Sequence, residues 1–165
     1  MTVYHDHLSI KTEARVTFHD VTDEAKAAVA ASGVTNGLLT VYSQHTTCSV
    51  ITQEDSHDVT EQGTKFLLQD LVDALEKIFP EARRVGQYRH PGPVLVKYCE
   101  EVLDEPLADA LNTAGHLRSC LIGRSESIPI IDGKVELGQI GRIYFIDFDA
   151  VCARDRIVRF QIIGE

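Results

Sequence analysis

Apolar and polar residues alternate with a two-residue period near both ends of this chain and recur at three- and four-residue steps between, which predicts strands around helices. Over 1–19 the alternation is loose: Val3, His5 and His7 stand against Tyr4, Leu8 and Ile10, followed by Ala14, Val16 and Phe18. Two strands joined near Lys11-Thr12-Glu13 are expected there. Thr22 caps a short helix over 23–32 with an acidic start, an apolar side of Ala25, Ala28 and Val29, and a stop at Gly33. Runs at 38–43 and 49–52 read as strands meeting at a polar corner, Gln44-His45-Thr46-Thr47, and the second opens into Gln53-Glu54-Asp55. Residues 56–78 carry the strongest helical pattern, through Val59, Phe66, Leu67, Leu71, Ala74, Leu75 and Ile78, with Asp55 or Ser56 as cap and Pro80 as terminator.

From 80 to 115 the pattern breaks up around Pro91, Pro93 and Pro106. A strand is predicted over 94–98 and a helical turn over 107–111. Asn112 or Thr113 caps the segment that carries His116, Leu117, Arg118, Cys120 and Leu121. The tail is β: 127–131 and 134–137 flank the turn pair Asp132-Gly133, and 143–149 and 156–163 are joined by a polar loop at Ala153-Arg154-Asp155. Gly138 and Gly141 predict a bulge or a close backbone approach. Antiparallel strands with two to three helices make an α+β domain, mostly sheet, and 165 residues suit a single domain over 1–165.

Charge and composition narrow the functions. Net charge is -9 and the pI about 5.2, which argues against a nucleic-acid or anionic-membrane surface because neutralising phosphates needs a basic face. No apolar run approaches the roughly 18 residues of a membrane span. A phosphorylated small molecule can still bind where arginines or a metal make the site locally positive. Cys48, Cys99, Cys120 and Cys152 form no CxxC pair, and with no signal peptide they read as reduced thiols of a cytoplasmic protein.

His45, His90 and His116 have polar neighbours. Three neutral imidazoles, or two with Glu54, could bind a divalent ion and leave a position open for water or substrate. Their separations of 45 and 26 residues form no local motif, and a hydrogen-bonded core or surface histidine is the plainer reading. Cys48 and Cys120 are near enough in sequence for a mixed site, although buried structural cysteine is commoner. His5 and His7 share a strand face that reads as solvated, with a metal pair as the minor reading. The acidic residues Glu100-Glu101 and Asp104-Glu105 read as a solvated face as well. Arg118 and Arg124 are candidate anion contacts or plain surface arginines. No G-x-S-x-G elbow, P-loop or dinucleotide fingerprint occurs.

The tail Ser125-x-x-Ile128-x-Ile130-x-x-Gly133-x-x-x-x-Gly138 resembles the C-terminal signature of the YjbQ-like family, also called the secondary thiamine-phosphate synthase family. The likeness extends over the chain through His45-Thr46-Thr47 with Ser49 and Glu54, Tyr88-x-His90, Gly115-His116-Leu117-Arg118-Ser119 with Leu121 and Gly123, and Ile163-Gly164-Glu165. The resemblance implies a barrel-like α+β core and a homotrimer with sites near subunit contacts. It also implies a metal, zinc or magnesium, at His45, His90 and His116, with Glu54 at the family's acidic position. The activity it implies is weak thiamine-phosphate synthesis, the joining of an aminopyrimidine diphosphate to a thiazole phosphate with loss of pyrophosphate. Gly138-Gln139-Ile140-Gly141 stands where the family has Gly-Thr-Trp-Gln, and His57-Asp58 falls near its Asp-Pro. Cys48 replaces a residue that is commonly alanine.

The expectation is a metal-dependent enzyme of phosphorylated or pyrophosphorylated small molecules. In it His45 and Glu54 act at the reacting centre and Arg118 clamps phosphate. The rival is a non-catalytic trimer that binds a metal or ligand.

Overall fold

The computed structural model describes all residues except Asp104 and Glu105. Among the described residues, eight strands form two antiparallel sheets. One contains β1 (Thr2–Lys11), β8 (Asp155–Gly164), β3 (Gly37–Ser43), β5 (Ser125–Ile131) and the short β6 (Lys134–Val135), in the order β1-β8-β3-β5-β6. The other orders β2 (Thr17–Asp20), β7 (Gly141–Asp147) and β4 (Cys48–Glu54) as β2-β7-β4. The described residues also form four α-helices: α1 (Thr22–Ser32), α2 (Phe66–Ile78), α3 (Pro93–Tyr98) and α4 (Thr113–Ile122).

The two-residue period decides what the sheets bury. Leu39 and Val41 of β3, Val158, Phe160 and Ile162 of β8, and Ile128 and Ile130 of β5 turn inward to meet Val50 of β4 and Ile143 and Phe145 of β7. Ala25, Ala28 and Val29 of α1 pack into the same core, so the sheets curl into a half-barrel around it. On the far face of the smaller sheet, Ile146 and Phe148 meet Leu71 and Leu75 of α2. Burial on both faces explains why β7 reads as a continuous apolar run rather than an alternating one. Gly33 takes a left-handed φ of 68° and ends α1 as expected.

Three local expectations change. Residues 94–98 are helical, not extended. Pro93 occupies the first helical turn, where its fixed φ is already suitable, and Lys97 pairs with Glu101 one turn on. Val94 is 84% exposed, so no sheet packing was available to draw this β-branched run into a strand. Glu100 and Glu101 continue into a π-helical turn, Cys99–Leu103, while the acidic pair that follows lies outside the described residues.

The long helix begins at Phe66 rather than at 56. Gly63 adopts φ 82°, Thr60 and Thr64 close a turn, and Lys65 Nζ reaches back to the Asp55 carboxylate and the Ser56 carbonyl. Finally, the strand expected over 134–137 is only two residues long. The Asp132-Gly133 turn itself is present, both residues having positive φ.

Candidate functional site

The end of β7 and the start of β8 carry charges that a sheet interior does not ordinarily admit. Asp147 is fully buried and Asp149 is 1% exposed. Asp147 Oδ2 accepts from Thr12 Oγ1 at 2.9 Å and from Arg156 Nε at 2.7 Å. Its Oδ1 accepts from Arg156 Nη2 at 3.1 Å, the Asp149 N–H at 3.0 Å and Cys48 Sγ at 3.4 Å. Burial works against this carboxylate's charge, but the Arg156 guanidinium, the Asp149 N–H and Thr12 outweigh it and hold the group below its ordinary range. Asp149 in turn accepts from Arg154 Nε at 3.2 Å and lies 3.5 Å from Arg156 Nη2. Burial and the neighbouring aspartate push the Cys48 thiol up, so it is not a ready thiolate.

Over this network lies a hollow of about 300 Å³, lined among others by His45, Thr46, Asn112, His116, Arg154 and Arg156. The polar corner predicted between β3 and β4 forms one wall. The Phe148 N–H donates to the Thr47 carbonyl at 2.9 Å, and Arg156 Nη2 donates to Thr47 Oγ1 at 2.9 Å. Helix α4 supplies the opposite wall, anchored by Ser119 Oγ, which donates to the Cys48 carbonyl at 2.5 Å.

Gly115 permits that docking. A Cβ there would lie 2.8 Å from the Phe148 carbonyl oxygen and 3.1 Å from its carbon. Gly115→Ala is therefore expected to destabilise the fold by about 1–3 kcal/mol through overpacking and to displace His116. Thermal melting reads this, and an unchanged midpoint would refute the close approach.

Of the three sequence-distant imidazoles, His116 lies near each of the other two. His45 and His116 line the same hollow, and the His116 ring lies edge-on to His90 with centroids 5.4 Å apart. His90 Nδ1 pairs with Thr113 Oγ1 at 2.9 Å, and that hydroxyl gives its own proton to the His90 carbonyl at 2.7 Å. His45 Nε2 accepts the Ile157 backbone N–H at 2.9 Å. Burial first, and Arg156 second, lower the proton affinity of His45. Burial first, then the neighbouring His90, lower that of His116, while the Thr46 backbone and Asp149 oppose the shift. Among the described residues, no group of three His, Cys, Asp or Glu side chains is arranged to hold a metal ion. His90 and His116 supply two neighbouring imidazoles, with no third such ligand beside them among the described residues.

The other expected site residues lie elsewhere. Arg118 is 1% exposed and points away from the hollow, ion-pairing with Glu76 and Glu81 and donating to the Phe79 carbonyl at 2.8 Å. It ties α4 to the end of α2. Glu54 closes the opposite end of β4, six residues beyond Cys48 or about 20 Å at strand rise. There it lines a second cavity with Glu126 and Glu136. Arg154, Arg156, Asp147 and Asp149 were not singled out from the sequence. The signal was present as Asp147-x-Asp149 and Arg154-x-Arg156, charges alternating at the adjoining ends of two apolar strands.

His19, like His45 and His116, is held below its ordinary 6.5, by burial foremost. The unfolded chain therefore takes up these protons first, so stability is expected to be full above about pH 6.5 and to fall as pH drops through it toward the folded values. Burial raises Glu81 and Glu126, which act in the opposite sense in a window opening at their ordinary 4.5. The comparison is therefore best made between pH 8 and pH 6. A urea midpoint that is no lower at pH 6 would contradict it.

Comparison with known proteins places the whole architecture. The family model described as "UPF0047 protein YjbQ-like" matches residues 6–165. A UPF0047 protein of Archaeoglobus fulgidus is 31% identical over 152 residues, covering 92% of this chain and 97% of the relative. One from Methanothermobacter thermautotrophicus is 28% identical over 165 residues, covering 100% and 95%. The crystal structure of an uncharacterised conserved YjbQ/UPF0047 protein from Clostridium acetobutylicum superposes with a TM-score of 0.70 at 31% identity, covering 96% of this chain and 99% of that one. With the family model spanning nearly its whole length, the chain belongs to the YjbQ-like UPF0047 family.

Proposed function

We propose that this protein is a cytoplasmic enzyme acting on a phosphorylated or pyrophosphorylated small molecule at the hollow between the His45 corner and α4. The observation that carries this reading is the convergence of His45, His116, Arg154 and Arg156 from three separate parts of the chain onto one cavity. Guanidinium groups recognise phosphate oxygens through paired N–H donors. In place of Arg118, the phosphate clamp is assigned to Arg154 and Arg156. His116, neutral near pH 7, takes or returns the proton of the reacting group, and His90 beside it steadies that ring.

A divalent ion is the alternative use of the same two rings, because an imidazole bound to a metal has no lone pair left to take a proton. His90 and His116 would hold it, with imidazole ligation favouring zinc over magnesium. When bound, it supplies neutralising charge for a departing phosphate or pyrophosphate. Glu54 is too far along β4 to join its own chain's hollow, so its role requires a neighbouring subunit, which accords with a homotrimer.

The test is turnover across a panel of phosphoesters, pyrophosphates and thiamine precursors, with zinc, magnesium or manganese supplied. Turnover that is lost in His116→Ala is expected. No turnover of any member by the wild type overturns the enzyme reading in favour of a non-catalytic binding trimer. The replacement of the family's tryptophan and glutamine by the exposed Ile140 and the half-buried Gly141 makes that rival worth testing.

A further inference from the structure

We infer that His45 serves as a neutral N–H donor to the bound anion and not as a metal ligand, so that the hollow holds an oxyanion subsite at His45, Arg154 and Arg156, apart from the neighbouring ring pair His90 and His116. This rests on the proposed phosphorylated substrate only for the identity of the anion.

The argument starts at the edge of the larger sheet. β3 ends at Ser43, paired with Val158 of β8, so the ladder stops just short of Ile157. A backbone N–H at such an end needs a partner, and His45 Nε2 provides it at 2.9 Å. A nitrogen that accepts an N–H offers its lone pair and carries no proton. The proton of a neutral imidazole must then sit on Nδ1, leaving that atom a donor. Ligation through Nε2 would strip the Ile157 N–H of its acceptor, and ligation through Nδ1 would require losing the ring's remaining proton.

His90 is arranged in the opposite way. Thr113 Oγ1 gives its proton to the His90 carbonyl and so must accept from Nδ1, which leaves Nε2 with its lone pair. Fixing one ring nitrogen by a hydrogen bond while the other stays basic is how proteins prepare a ligating imidazole.

The donors around His45 are of one kind. Arg156 uses Nε and Nη2 on Asp147 and Thr47, and Arg154 uses Nε on Asp149 and Nη2 on the Asp109 carbonyl. No protein acceptor for Nη1 of either arginine occurs among the described residues. The Asp149 carboxylate lines the same hollow but is taken up by Arg154 Nε at 3.2 Å and lies 3.5 Å from Arg156 Nη2, so the three N–H-bearing groups around this cavity of about 300 Å³ suit a tetrahedral oxyanion such as phosphate.

Two measurements on the intact protein decide this. Long-range ¹⁵N–¹H spectra of ¹⁵N-labelled protein, with His45 assigned through His45→Gln, are expected to show Nε2 unprotonated and Nδ1 protonated. Those signals should stay in place when zinc is added and shift when inorganic phosphate is added. Separately, His45→Ala should lower phosphate affinity about tenfold and leave zinc affinity within about twofold, with His90→Ala doing the reverse. A His45 ring protonated at Nε2, zinc-dependent movement of its Nε2 signal, or no response to phosphate at Nδ1 overturns the assignment, and the spectra decide it even if a variant fails to fold. Absence of turnover on the substrate panel would remove the proposed reaction and leave this assignment standing.

Discussion

His116→Ala is expected to lower turnover of the phosphorylated substrate by about 10²–10⁴-fold, the range that a positioned acid–base group supplies. The substitution leaves Arg154 and Arg156, the proposed anion contacts, in place, so the loss should fall on kcat with KM changed little. The wild-type pH profile checks the same role independently. Because burial and His90 hold the His116 proton affinity below the ordinary 6.5, the ring is the neutral, basic form at pH 7, and activity should decline only as pH falls below about 6.5. His116→Ala turnover within threefold of wild type, or a wild-type acid limb centred above pH 7, would refute the role. Since α4 also carries Gly115 and Ser119, the variant's melting point should be measured beside its kinetics to separate chemistry from docking.

Asp147→Ala is expected to destabilise the fold by about 3–5 kcal/mol, the cost of leaving a buried charge without its partner. Arg156 would lose two hydrogen bonds to a fully buried carboxylate, and Thr12, Cys48 and the Asp149 N–H would each lose an acceptor. For a chain of this length that corresponds to a fall in melting temperature on the order of 10 °C. The pair Asp147→Ala and Arg156→Met should recover part of the loss, because it removes the unpaired guanidinium while Thr12, Cys48 and the Asp149 N–H remain without their acceptor. If the single substitution lowers the midpoint by less than about 2 °C, the network is not what joins β7, β8 and the N-terminal strand.

Both results bear on the site because the network lies beneath it. Thr47 is tied to Arg156, and the adjoining residues carry His45 and the Cys48 carbonyl that receives α4. A loosened Arg156 would therefore move both walls of the hollow. Arg118 illustrates the opposite outcome. Its position between His116 and Ser119 on one helix suggested a phosphate contact, yet a turn of α4 carries its side chain to Glu76 and Glu81 instead. Residues adjacent in sequence on a helix face different directions, about 100° apart per residue, so proximity along the chain was a poor guide to shared function.

Much of the architecture was legible beforehand. The apolar content of β7, the alternation in β8, the glycine stop of α1 and the Asp132-Gly133 turn are local signals, and each corresponds to an element in the fold. Where local signals competed, reading them one at a time failed. The β-branched residues at 94–98 became helix behind Pro93, and the helical pattern at 56–65 yielded to the loop built around Gly63 and Lys65.

By itself the amino-acid order determined which segments are strands and helices over most of the chain, the α+β class, the family, and the three histidines worth examining. Tertiary structure alone decided that His45 and His116 share a hollow while Glu54 stands at the other end of its strand, and that Arg154 and Arg156 rather than Arg118 supply its positive charge. The reason is that periodicity reports only which way a residue faces within its own element. Which faces meet depends on β8 being inserted between β1 and β3 and on α4 folding back onto β4, contacts between segments tens to more than a hundred residues apart.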